Sequence, residues 1–229
     1  LQQAAREYPT EFAIHGQLGD FYRISERFGE AIRSYNRAID MLPEVVESSW
    51  PLFYARGISY ERSDRWPLAE ADFKKALELR PDQPFVLNYL GYSWADQGVR
   101  LQEAEDMIRR AVNLRPNDGF IVDSLGWVLY RLGRYEEAVV YLERAVALSP
   151  NDQVINDHLG DALWRVGRRI EARFQWQRAI DIGTDDEVTE AARDKLDDGL
   201  TTPPTVLEAS DATSAIESDS APTSLTSDS

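Results

Sequence analysis

The chain has 229 residues, of which 43% are apolar, no cysteine and a formal net charge of −15 at pH 7. This size and apolar fraction allow a substantial core. The acidic charge argues against nucleic acid or an anionic membrane surface as a partner, because their phosphates would be repelled. Without cysteine there are no disulfides or thiolate metal sites, and no apolar run approaches the roughly 20 residues of a membrane-spanning helix.

The first eleven residues have the pattern of the end of a helix. Leu1, Ala4 and Pro9 have the same relative spacing as Leu142, Ala145 and Pro150 further along the chain. We therefore expect residues 1–11 to be the end of a truncated preceding repeat.

A unit of about 34 residues then recurs five times over residues 12–184, starting near residues 12, 50, 84, 119 and 153. Each unit predicts two amphipathic helices. In the fourth, Leu125 and Gly126 lie on the apolar stripe of the first helix, and Leu142 lies on that of the second. Gly133 falls at the turn between them, and Pro150 ends the second helix because proline cannot donate the next helical hydrogen bond.

The units differ locally. A four-residue insertion follows the first unit around residues 44–49, and the third gains one residue near Val99–Arg100. Arg56, Leu129 and Thr184 stand where Leu, Tyr and Pro are expected.

After the fifth unit the pattern changes. Residues 185–199 predict a C-terminal capping helix with one apolar stripe, which would cover the last exposed face of the array. Residues 200–229 contain no Lys or Arg, five acids and mostly Ser, Thr, Ala and Pro. We expect this acidic tail to be disordered, because it cannot bury enough surface to offset its chain entropy.

The repeated pattern, Leu-Gly-x-x-Tyr followed by Ala, an aromatic or Leu, and Pro, resembles the tetratricopeptide repeat (TPR). The resemblance implies an all-α, right-handed superhelical solenoid of antiparallel helix pairs. A narrower resemblance lies in residues 90–168, which are similar to the C-terminal part of large bacterial TPR proteins, some of them outer-membrane lipoprotein adaptors of a C-terminal processing protease. It implies the periplasmic side of the cell envelope, with a lipidated cysteine upstream of Leu1; a cytoplasmic location stays open.

No enzyme motif is present: there is no HExxH, GxSxG, GxxxxGK or GxGxxG after a strand. His15 falls on a packing position. His158 shares a helix face with Asp157 and Asp161, an arrangement that could hold a metal or a proton. A metal site needs three or four convergent ligands, so we predict no catalytic residue, no metal and no cofactor.

The predicted binding surface is the concave groove that the first helices line in TPR arrays. Chaperone-tail binders of this family hold a terminal carboxylate with a clamp of Lys, Asn and Arg, and glycosyl-transferring relatives carry an asparagine ladder; neither has a counterpart at the corresponding positions here. Aromatic rings edged by carboxylates stand there instead, although Phe85 and Phe120 could equally pack on a neighbouring helix. The candidate partner-binding residues are Asn88, Tyr92, Asp96, Asp123, Trp127, Tyr130, Arg131, Asp157, His158, Asp161, Trp164 and Arg165.

These observations predict a non-enzymatic scaffold or adaptor that binds a protein or peptide segment in the groove. Buried Trp and Tyr side chains concentrate binding energy at interfaces, and the carboxylates would favour a segment with some Lys or Arg. The resemblance adds a protease as a possible class of partner. The alternative is the regulatory or substrate-docking region of an enzyme whose catalytic domain lies upstream.

Overall fold

The structure, a computed structural model, describes residues 11–200. All regular secondary structure within that range is helical, which confirms the predicted all-α class. The chain divides into two compact units, with the boundary between Leu90 and Gly91. The predicted truncated repeat before residue 11 and the predicted tail after residue 200 lie outside the described residues.

The helices follow one another in antiparallel pairs. The first unit contains α1 (Phe12–Ile24), α2 (Phe28–Asp40), a short 3-10 helix (Glu47–Ser49), α3 (Trp50–Glu61), α4 (Trp66–Leu79) and the start of α5 (Pro84–Gln97). The second unit contains the rest of α5, then α6 (Leu101–Leu114), α7 (Gly119–Arg131), α8 (Tyr135–Leu148), α9 (Gln153–Arg165), α10 (Arg169–Ile182) and α11 (Asp186–Asp198).

One glycine in the first helix of each pair permits the closest approach to the second helix. A Cβ added at Gly126 would lie 2.5 Å from Leu142 Cγ, closer than real Cβ contacts. The same geometry recurs in the other pairs, at Gly19 with Tyr35, Gly57 with Phe73, Gly91 with Ile108 and Gly160 with Trp176. Each large side chain is almost fully buried, so a missing side chain on one helix accommodates a bulky one on its partner.

The turns within pairs need a residue in the left-handed region. Gly133 has φ +74° there, as predicted, but the corresponding residue of the first pair is Glu26 with φ +56°. Glycine adopts this conformation without steric penalty, whereas other L-residues do so at a cost. The first pair therefore has the same left-handed turn as the fourth, although Glu26 stands there in place of glycine.

Aspartates begin several helices of the second unit. The side chains of Asp118 and Asp152 accept hydrogen bonds from the backbone N–H groups of Ile121 and Ile155, at 3.4 and 3.0 Å. Asp185 accepts from the N–H of Glu187 at 2.9 Å at the start of α11. These bonds satisfy donors that the first turn of a helix leaves unpaired.

The last helix of the described residues, α11, packs against α10 and α9. Gln153, at the start of α9, binds the first turn of α11. The side-chain amide of Gln153 donates to Asp185 O at 3.0 Å and to Thr189 Oγ1 at 2.8 Å. Its side-chain oxygen accepts from the Asp185 N–H at 2.7 Å. We interpret α11 as the capping helix and residues 12–184 as five repeats.

Candidate partner-binding surface

The candidate residues lie on the first helices of successive pairs, α5, α7 and α9. Asn88 is half-buried in the first unit, where its Oδ1 atom is buried without a hydrogen-bond partner. The other eleven belong to the second unit. Their spacing on the helices places them where residues from adjacent first helices meet, and many of them contact each other.

Trp127 lies at the centre of these contacts. Its indole stacks on the imidazole of His158 from α9, with ring centroids 4.1 Å apart and planes 12° apart. On its own helix it stacks on Tyr130 at 5.0 Å and 10°. The imidazole Nδ1 of His158 lies 3.1 Å from both carboxylate oxygens of Asp123. Trp127 is thus half-buried and held in one orientation by two rings.

Two further carboxylates meet a lysine that the sequence analysis did not identify. Lys195 of α11 extends its ammonium to Asp157 Oδ2 at 2.6 Å and to Asp161 at 2.8 Å. Asp161 also accepts a hydrogen bond from the indole N–H of Trp176 at 2.9 Å. Because Lys195 lies 34 residues after Asp161, extending the repeat period into α11 would have placed Lys195 on the corresponding helix face, although it would not have shown the contact.

The expectation that the groove carboxylates are open to a partner is therefore wrong for three of them. Asp123, Asp157 and Asp161 are only 5%, 8% and 6% exposed. His158 is also buried, and Tyr130 is buried with its hydroxyl accepting from Arg165 Nε at 3.3 Å. Periodicity placed these residues on the correct helices but did not show that the next helix covers them.

Burial and charge shift the ionisation of this cluster. Burial lowers the pKa of His158, but the carboxylate of Asp123, with smaller effects of Asp157 and Asp161, outweighs it and raises the pKa above its usual value. Burial, and next Asp157, raise the pKa of Asp161 to about 6, although Lys195 and Trp176 oppose the change. Burial lowers the pKa of Lys195, but the carboxylates of Asp161 and Asp157 outweigh burial and raise this pKa above its usual value.

Six of the eleven candidates in the second unit keep accessible surface, and we call them the ring surface: Tyr92, Asp96, Trp127, Arg131, Trp164 and Arg165. Arg131 donates to the backbone oxygen of Asp96 at 2.5 Å, and its guanidinium lies 5.9 Å from the Trp127 ring centroid. Trp164 packs at 5.2 Å on Trp176. Burial, together with Asp96 and Asp123, raises the pKa of Tyr92 above its usual range, so its hydroxyl stays protonated.

Within residues 11–200, no three His, Cys, Asp or Glu side chains converge as a metal site would require. The helices of this same range include none with the length and apolar character needed to cross a bilayer.

Comparisons with known proteins agree with the repeat pattern. The chain is 36% identical over 140 residues, or 60% of its length, to the TPR repeat-containing protein PA4667 of Pseudomonas aeruginosa. It is 30% identical over 91 residues, or 39% of its length, to the UDP-N-acetylglucosamine–peptide N-acetylglucosaminyltransferase of Giardia intestinalis. The matches span only 23% and 6% of those relatives.

Solved structures share the fold at low sequence identity. One chain of the crystal structure of the APC/C hetero-tetramer Cut9–Hcn1 superposes with a TM-score of 0.74 at 18% identity, over 87% of this chain and 38% of that one. YrrB, described as a TPR protein with an unusual peptide-binding site, gives a TM-score of 0.61 at 20% identity over 84% and 97%.

Sequence models of the tetratricopeptide repeat match residues 12–44, 54–119 and 123–152. Repeats of this kind are generally non-catalytic scaffolds that bind proteins or peptides, which gives the broad role of the chain. The chain belongs to the tetratricopeptide repeat family.

Proposed function

We propose that the second unit is an adaptor that binds a segment of a partner protein on the ring surface. The observation that carries the proposal is the state of Trp127, which is half-buried and already oriented by His158 and Tyr130. A large ring whose orientation is set before binding loses little conformational entropy on association. Rings of this kind act as anchors at protein interfaces.

The accessible charges refine the chemistry of the partner. Asp123, Asp157 and Asp161 are buried and already paired with His158 or Lys195 of the same chain, so they are poorly placed to attract a basic segment. Asp96 is exposed, while Arg131 and Arg165 are half-buried beside rings. The ring surface therefore suits a segment with an apolar or aromatic anchor and mixed charges better than a strongly basic one.

Replacing the central ring tests this proposal. We expect Trp127→Ala to weaken binding of the partner segment by about 2 kcal/mol, since a buried anchor at the centre of an interface would be lost. Isothermal titration with a captured partner measures the loss, and circular dichroism checks the helices. Phe174→Ala is the matched control, because Phe174 is an exposed ring of the same unit away from the ring surface.

Equal affinity of the Trp127→Ala variant and the parent would show that this surface is not the site. The partner itself distinguishes the adaptor role from others. Capture of a protease whose binding requires Trp127 would support the narrower resemblance to protease adaptors. Capture of a partner of another class whose binding requires Trp127 would support the scaffold function and speak against the protease-adaptor role.

A second candidate function comes from the similarity to an enzyme. The Giardia relative is named as a glycosyltransferase, and the match covers 39% of this chain and 6% of that protein. Under this alternative, the present repeats would dock substrates for a catalytic domain elsewhere in a longer protein. A transferase assay on the full-length protein tests it: activity that depends on Trp127 supports substrate docking, and no activity opposes it.

A further inference from the structure

The insertion between α2 and α3 forms one wall of a cleft in the first unit. The cleft has a volume of about 340 Å³. One side is the face of α1 that carries Phe12, Ala13 and Asp20, and the other is formed by the insertion and the start of α3, including Val46 and Leu52. This volume is at the lower end of the roughly 300–1,000 Å³ typical of ligand pockets. It accommodates one or two side chains of a peptide.

The wall formed by the insertion is an ordered turn. The N–H of Ser49 donates to the Val46 carbonyl at 2.8 Å. The N–H of Val46 in turn donates to the Ser49 hydroxyl oxygen at 3.2 Å. Ser49 is buried, so this reciprocal pair fixes the turn against the start of α3. The cleft is thus built before any ligand binds, which reduces the entropic cost of association.

Apolar side chains reach solvent at this cleft. Phe12 is 39% exposed and Val46 is 43% exposed, and both belong to its lining. Gly16 is also in the lining, where a Cβ would approach Leu52 Cδ2 to 3.1 Å, so the missing side chain keeps the floor open. Single exposed apolar residues are common on protein surfaces, but several that converge on one concave site mark a binding surface.

The charge of the cleft has one sign. Asp20 and Glu44 are part of the lining, and none of the described lining residues is Lys or Arg. The Asp20 side chain remains 52% exposed although it accepts a hydrogen bond from Tyr35 at 2.8 Å. Arg23 lies 3.7 Å from Asp20 but outside the lining. A ligand with a cation beside its apolar group therefore complements the cleft.

We propose that this cleft, which we call the insertion cleft, binds a peptide segment in which a Leu, Ile or Phe side chain stands next to Lys or Arg. The apolar side chain enters between α1 and the insertion, and the cation lies near Asp20 and Glu44. This site is separate from the ring surface, because all of its residues belong to the first unit.

An array of synthetic 12-residue peptides tests the proposal on the whole chain. Its peptides carry Leu, Ile or Phe at the centre with Lys at the adjacent position, and matched peptides carry Ser at the centre or Glu beside it. We expect the apolar–Lys peptides to bind in preference to both matched sets. Added salt should reduce the preference for Lys over Glu, since exposed charges are screened.

Neighbouring valines provide matched variants. Val46 lines the cleft and Val45 does not, although both are about equally exposed, at 43% and 41%. We expect Val46→Ser to weaken binding of the selected peptides about 3–10-fold through lost apolar contact, and Val45→Ser to leave it unchanged. Ala13→Trp should fill the cleft and abolish binding, whereas Ala71→Trp, at an exposed position on α4, should not.

Several results would overturn the proposal: no preference for apolar–Lys peptides, equal effects of Val46→Ser and Val45→Ser, or unchanged binding to the Ala13→Trp variant. Trp127→Ala separates the two sites. If that variant retains these peptides while it loses the partner of the ring surface, the two surfaces act independently. If it loses these peptides, they bind at the ring surface and the insertion cleft is not their site.

Discussion

Asp123 and His158 are an internal pair rather than a ligand-binding pair. The carboxylate faces the imidazole across two adjacent first helices, and both groups are buried. The indole of Trp127 covers one face of the same imidazole. A buried pair of this kind is stable only while each group retains its partner. His158 therefore links α7 to α9 and sets the orientation of Trp127.

The raised pKa of His158 predicts a dependence of stability on pH. The folded chain holds this proton more tightly than the unfolded chain, in which the pKa is about 6.5. The resulting stabilisation is fully present below the unfolded pKa and is lost as pH rises through the higher folded pKa. We expect His158→Gln to destabilise the chain more at pH 5.5 than at pH 8.5 in urea unfolding.

The Asp123→Asn background provides the control for this prediction. Asp123 is the main group that raises the pKa of His158. In its absence, the effect of His158→Gln should depend much less on pH. An equal loss of stability at pH 5.5 and pH 8.5 in the parent background would contradict the prediction.

At the scale of an element, α11 is held at both ends by polar contacts. Gln153 binds its first turn through Asp185 and Thr189. Lys195 enters between Asp157 and Asp161 near its last turn. These hydrogen bonds are directional, so they fix the position of α11 along α9. The few apolar residues of α11 would fix that position less well, because apolar contacts have no preferred direction. A polar helix can therefore end an array with a defined register.

Removal of Lys195 should destabilise the packing of α11 on α9. Lys195→Met leaves two carboxylates buried without their cation, which costs about 3–5 kcal/mol when a buried pair loses one partner. Urea unfolding measures the loss. Lys75→Met is the matched control, since Lys75 is 42% exposed and pairs only with Glu78 at the surface.

The same substitution in a chain that already carries Asp157→Asn and Asp161→Asn should cost much less. Only neutral amides would then face the methionine, and the amide of residue 161 can still accept from Trp176. If Lys195→Met is as costly in that background as in the parent, the loss comes from packing and not from uncompensated charge.

In the part of the chain that the structure describes there are two compact units, and within each of them helices that follow one another pack together, as α1 does with α2 and α7 with α8. Stability in such repeats is a sum of local terms and nearest-neighbour terms. Damage to one pair should therefore spread first to the adjacent pairs.

Overpacking one crossing tests this expectation. Gly126→Leu should clash with Leu142 and cost about 1–3 kcal/mol or more. Hydrogen exchange should show lost protection in α7 and α8 first, with α1 to α4 protected as in the parent. Gly57→Leu, which clashes with Phe73, should give the reverse pattern, and Gly29→Leu on the exposed face of α2 should cause little change. Uniform loss of protection in all helices would contradict the local description.

Hydrophobic periodicity was enough to predict the helices and which of their residues face the core. The turn at Gly133 and the positions of Gly126 and Leu142 on the apolar stripes of their helices follow from periodicity, and the structure brings these two residues into contact. Helical geometry relates residues within one helix directly. It also placed His158 and Asp161 on one helix face.

The contacts between side chains of different helix pairs could not be predicted from the sequence. His158 reaches Asp123 over 35 residues, and Lys195 reaches Asp157 over 38. Periodicity tells which face a side chain occupies, but the identity of the group that covers it depends on how the next helix packs. For the same reason, the sequence indicated an insertion at residues 44–49 but not that it forms a cleft with α1. Burial and pairing are properties of the packed chain, so the accessible surface follows from the fold and not from the repeat alone.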